Sequence, residues 1–239
     1  MHEFLKDPLP VHCQPMNDTT TTAEPAAATV TDEVRLALEA DIRQGRLRPG
    51  DALDVKAVAE RFGISRTPAK EALLQLAAAG LMNFSPRRGA VVTRLEPREV
   101  FGMLEVLAVL ESEAARLSAR RMSNEQRQAL DALQQEAEQA VEGDDIAAYT
   151  ALNLRLHDLI YQGCDNAYLA GQIVRIRERL AAYRPVSFER PGRMKASHRE
   201  HGAIVRAIVR GDEPEAHRAM NEHITVGGTA QAELMLRMR

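Results

Sequence analysis

Three histidines and an asparagine are spaced so that a helical chain can bring them to one place. Asn153 and His157 lie four residues apart, which puts both on one face of a helix. His201 and His223 stand on two later amphipathic stretches. In a bundle core, three imidazoles and one oxygen donor suit a Zn-, Ni- or Mn-like divalent ion with open positions. Spacing alone is equally compatible with hydrogen-bonded or solvated histidines, since the chain holds seven. A second constellation is basic. Arg66, Thr67 and Lys70 would lie exposed on the first turns of a helix, where forked guanidinium donors match guanine and shorter groups reach phosphate. Arg87, Arg88 and Gly89 form a turn that can lie along the adjacent minor groove, and Lys56, at the start of the preceding helix, can touch the backbone.

The elements that must position these groups follow from the pattern of apolar residues and caps. Residues 1–28 hold Pro8, Pro10, Pro15, Pro25 and a threonine run without apolar period, and read as a disordered tail. Residues 29–95 read as a winged helix-turn-helix of three helices and a small β-hairpin. Thr31 caps the first helix, Asp54 caps a second through Phe62, and Ser65 caps a third to Ala79, with Ala69, Ala72, Leu73 and Leu76 facing inward. Met82–Phe84 and Ala90–Thr93 form the hairpin. Residues 96–239 read as five or six antiparallel helices in one bundle, the last breaking at Gly227-Gly228. The fold class is therefore mainly α, in two domains.

Charge agrees with this division. The formal net charge is −3, but residues 29–95 carry eleven Lys/Arg against eight acids, whereas both flanking segments are acidic. Aromatics are only 4% and Trp is absent, as in a helical Ala/Leu/Glu/Arg-rich protein. There is no apolar run of about eighteen residues and no leader-like N-terminus, so we expect a cytoplasmic protein without a membrane partner. Cys13 and Cys164 have no metal or redox spacing.

The motifs resemble a known family. Gly45-Arg46-Leu47-Arg48-Pro49-Gly50, Ala57 to Pro68, Glu71-Ala72-Leu73, Gly80-Leu81 and Pro86-Arg87-Arg88-Gly89 resemble the GntR regulators. By that resemblance Lys56, Arg66 and Lys70 fall where members place DNA-contacting basic residues; lysine at two of them keeps the charge but loses the bidentate fork. Asn153 to His157, Asp165-Asn166, Glu200-His201, Gly211-Asp212 and Asn221-Glu222-His223 resemble the FCD ligand-binding domain of the FadR-type branch. The resemblance implies a divalent metal on Asn153, His157, His201 and His223. Asparagine replaces the usual aspartate, so the site has one negative charge fewer. It also implies a small organic or sugar acid as effector, its carboxylate met by the cation and an arginine. Arg184 is the candidate for that role, with a plain helix C-terminal cation as the alternative. Many members carry an arginine on the first bundle helix where this chain has Leu107, which more simply continues a core or dimer stripe with Leu110 and Ala114. The expected protein is a homodimer on a palindromic double-stranded operator, a repressor rather than an enzyme. The alternative, a metal-dependent helical-bundle enzyme, lacks a general base at motif spacing and leaves the basic head unexplained.

Overall fold

The computed structural model describes residues 29–85, 89–181, 188 and 190–237, with side chains described only as far as residue 225 and not at Ser85. Arg87, Arg88, Arg184 and the expected N-terminal tail lie outside the described residues.

The N-terminal unit opens with α1 (Val30–Arg43), whose cap is Thr29 rather than Thr31. Thr29 and Asp32 form a reciprocal capping box, satisfying two amides that no helical carbonyl can reach. Thr31 is instead buried inside the first turn. The short strand β1 (Ala52–Leu53) leads to α2 (Val55–Phe62), capped by the Asp54 carboxylate, which accepts from the amides of Lys56 and Ala57. The left-handed Gly63 stops α2 at φ 64° and redirects the chain into α3 (Arg66–Ala78). Val34, Leu38, Ile42, Val58, Leu73 and Leu76 close a separate core beneath these helices.

The expected hairpin is present as β2 (Met82–Ser85) and β3 (Gly89–Val92), but the sheet has three strands in the order β1-β3-β2. β1 pairs antiparallel with β3, Ala52 opposite Val91. Two residues are too few to show an alternating pattern, which is why this strand is silent in the sequence. The resulting wing starts at Gly89, whose φ of 75° and close approach to the Leu53 carbonyl both exclude a side chain.

The C-terminal unit is a bundle of α4 (Pro97–Arg121), α5 (Asn124–Glu142), α6 (Ile146–Gly163), α7 (Ala167–Ala181), α8 (Arg193–Arg210) and α9 (Glu213–Arg237). α4 is central and packs against α6, α7, α8 and α9, while α5 covers α6 and α8. The expected break at Gly227-Gly228 does not occur: α9 continues through both glycines. Two glycines cost helix propensity, about 1 kcal/mol each, but tertiary packing along the rest of α9 can override that. α7 also touches α1 of the N-terminal unit, and Arg179 of α7 lies within 3.1 Å of where a Cβ on Gly80, just beyond α3, would stand.

Candidate metal centre and DNA-reading face

The three histidines that the sequence singled out converge. His157 comes from α6, His201 from α8 and His223 from α9, and all three are buried in the bundle core. One ring nitrogen of each lies within 4.8 Å of the others. His201 Nε2 and His223 Nε2 are 3.1 Å apart. Ligand nitrogens about 2.0–2.1 Å from a common tetrahedral zinc would lie roughly 3.3 Å apart, so the His201–His223 pair already stands at ligand spacing and the cluster, spread over up to 4.8 Å, would have to close in on an ion. Asn153 stands half-buried one turn before His157 on α6.

The opposite nitrogen of each ring is taken. His157 Nδ1 is 3.1 Å from Glu111 Oε2, 3.0 Å from Arg177 Nη2 and 3.3 Å from the Tyr161 hydroxyl. His223 Nδ1 is 2.6 Å from Glu200 Oε2. His201 Nδ1 is 3.3 Å from the Tyr149 hydroxyl, whose ring is wedged edge-on against Phe188. The glutamates are held in turn: Arg177 donates twice to Glu111, at 2.7 Å each, and Arg193 twice to Glu200, at 2.7 and 3.0 Å.

Protonation in this core follows from burial and from these pairs. Burial, then the neighbouring Arg177 charge, lowers the His157 pKa to about 3. Burial, with His223 and His157 beside it, lowers that of His201 well below the usual range. Both are therefore neutral at pH 7 with a lone pair to offer, the form a metal requires. Burial would raise the Glu111 carboxyl, but Arg177 and the His157 hydrogen bond overcome it and hold it well below normal. Glu200 behaves alike: burial opposes ionisation, while bonds from His223 and Arg193 bring its pKa to about 2. Burial pushes the Tyr149 phenol up to about 12.

Sequence reasoning named the imidazoles but not Glu111, Arg177, Glu200, Arg193 or Tyr149 as site residues. One signal was available. Glu111 stands at an inward position of α4, one turn after the fully buried Leu107, and a charge in such a stripe requires a partner. That partner is 66 residues away on α7, a distance no local pattern can show. Leu107 is a core residue, as expected, and the arginine nearest the imidazoles comes from α7 rather than from α4.

On the N-terminal unit, Lys56, Arg66, Thr67 and Lys70 are all exposed. Arg66, Thr67 and Lys70 lie on the first two turns of α3, while Ala69, Ala72, Leu73 and Leu76 face the core. Arg46 and Arg61 serve the scaffold instead. Both bond the buried Asp41 carboxylate at the end of α1, at 2.5 and 2.6 Å, tying α1 to α2.

A winged helix-turn-helix joined to a helical domain is an architecture of DNA-binding transcriptional regulators. Comparison with known proteins makes this specific: residues 30–92 match the model for bacterial regulatory proteins of the gntR family, and residues 102–226 match the FCD domain. The chain belongs to the GntR family of transcriptional regulators, in its FCD-containing form, and is not an enzyme. It is 26% identical over 195 residues to the HTH-type transcriptional repressor RspR of Escherichia coli K12, covering 82% of this chain and 86% of that protein. It is 31% identical over 198 residues to an HTH-type regulator in an unstable DNA locus of Streptomyces ambofaciens, covering 74% and 75%. The solved structure of E. coli McbR/YncC shares the fold with TM-score 0.76 at 21% identity, over 87% of this chain and all of that one. Among the described residues, no helix is long and apolar enough to cross a membrane.

Proposed function

We propose that this chain is a homodimeric repressor whose operator affinity is set by a small carboxylate bound beside a divalent metal. Residues 29–95 form the DNA-binding unit. Arg66 and Thr67 read base edges, Lys56 and Lys70 hold phosphates, and the wing carrying Arg87, Arg88 and Gly89 follows the minor groove of a palindromic operator. Residues 96–239 form the sensor and dimerisation unit. His157, His201 and His223 would hold Zn, Ni or Mn, with the Asn153 carbonyl as a weaker neutral donor. The ion supplies positive charge to receive a carboxylate oxygen. A cleft of about 170 Å³ lined by Glu200, Ala203, Arg218, Glu222 and His223 supports access for a small ligand from the side of α8 and α9. Arg184, which lies outside the described residues, remains the proposed partner for the acid.

The observation that carries this reading is the convergence of three buried imidazoles whose outward nitrogens are all engaged by oxygen. The test is thermal unfolding of chelator-stripped protein with and without Zn, Ni or Mn, beside a His201→Ala/His223→Ala variant. Binding to the native state alone raises the midpoint of the parent, because one ion at about 100 times its Kd adds roughly 2.7 kcal/mol; the variant should not respond. An unshifted parent would end the metal reading and leave an effector held by hydrogen bonds alone.

A further inference from the structure

The three imidazoles are not held alike. His157 and His223 each rest Nδ1 on a glutamate that is itself gripped by an arginine through two bonds, Arg177 on Glu111 and Arg193 on Glu200. The same order of groups, arginine, glutamate, histidine, thus occurs twice, assembled once from α7, α4 and α6 and once from α8 and α9. His201 rests only on the neutral phenol of Tyr149.

The chemistry of the partners decides where each proton sits. An ionised carboxylate accepts and cannot donate, so the hydrogen between His223 and Glu200 sits on His223 Nδ1, and Nε2 is the nitrogen that faces the cluster. Arg177 Nη2 also lies 3.0 Å from His157 Nδ1. It could donate there only if that nitrogen were bare, which would set its lone pair against the Glu111 carboxylate 3.1 Å away. His157 Nδ1 is therefore protonated too, and Tyr161 can accept a share of the same hydrogen. Two facing Nε2 atoms 3.1 Å apart need one hydrogen between them. Either ring can hold that hydrogen, and no carboxylate fixes the far nitrogen of His201, which meets only the Tyr149 hydroxyl.

Resting on the metal reading above, we infer that Glu111 and Glu200, locked by Arg177 and Arg193, are positioning residues that commit His157 and His223 to ligation through Nε2 before any ion arrives, whereas His201, which rests on a phenol, has no carboxylate to commit it. Carboxylate partners also make an imidazole a stronger donor, so both pairs contribute affinity as well as orientation.

Two measurements on the full chain test this. The first is ¹⁵N NMR of the imidazoles with chelator-stripped and zinc-loaded protein. His157 and His223 are expected to carry hydrogen on Nδ1 in both states; an Nδ1 without hydrogen at either residue in the chelator-stripped protein overturns the inference. The second is zinc affinity by competition with a chromogenic chelator. Glu111→Gln and Glu200→Gln should each weaken binding about 10–100-fold, and Tyr149→Phe by less than either. Glu111→Gln removes the buried carboxylate that Arg177 pairs with, so if it does not fold, the partly exposed Glu200 decides the matter. Unchanged affinity in Glu200→Gln, with tight zinc binding by the parent, overturns this inference alone. A parent that binds no zinc overturns the metal reading and this with it.

Discussion

Asp41 shows how a family motif is divided between scaffold and function. Arg46 and Arg61 sit in stretches that look like DNA-binding sequence, yet both point back to one buried carboxylate. Burial opposes ionisation of Asp41, but its bonds from Arg61 and Arg46 win and hold its pKa below that of an ordinary aspartate. Such a depressed acid stabilises the fold fully above its unfolded pKa and loses that contribution as pH falls through the folded one. Acid titration of unfolding should therefore show a loss below about pH 4 that is smaller in Asp41→Asn. That variant should also cost about 1–3 kcal/mol at neutral pH, the lower end reflecting two half-exposed guanidiniums. Gly89 is a second residue with a purely geometric duty beside its proposed one. Gly89→Ala must adopt a left-handed backbone and push β1 away, so we expect at least about 1–2 kcal/mol of destabilisation by denaturant melting of the head. Histidine positions were legible because four-residue spacing and late helices limit where imidazoles can go. The glutamates and arginines behind them were not, because their pairing depends on how helices distant in sequence meet.

Most helices were readable, since caps and glycine stops are local: Asp54 to Gly63 brackets α2 and Gly192 to Gly211 brackets α8, as their sequences indicate. Strand β1 and the unbroken α9 were not, being decided by partners rather than by their own residues. α3 carries the sharpest prediction at this scale. Arg66→Ala should lower affinity for the cognate operator by about 1–3 kcal/mol and relax specificity at one base pair, whereas Lys70→Ala should weaken all sequences alike and reduce the slope of log affinity against log salt by about 1. Electrophoretic titrations on cognate and scrambled duplexes at several salt concentrations separate the two. Equal losses on both duplexes for Arg66→Ala would move it to the phosphate class.

The whole molecule leaves an apolar strip on the outside of α4, where Val106 and Val109 are 50% and 61% exposed, with Val174 of neighbouring α7 40% exposed. A strip of this kind fits the dimer face of the proposed assembly. Val109→Glu should shift sedimentation toward the monomer and lower operator affinity together; a monomeric parent would remove the face from consideration. α7 borders this strip and also reaches the DNA-reading unit. Arg177 and Arg179, two residues apart, leave the helix on opposing sides, one toward Glu111 and the imidazoles, the other against Gly80 at the foot of α3. A single helix thus serves as a spar between sensor and reader, and the reader should feel the sensor without any ligand touching it. Hydrogen exchange of the amides from Leu76 to Leu81 would then slow when zinc is added at the far side of α7, making the last turn of the recognition helix a gauge of occupancy in the bundle.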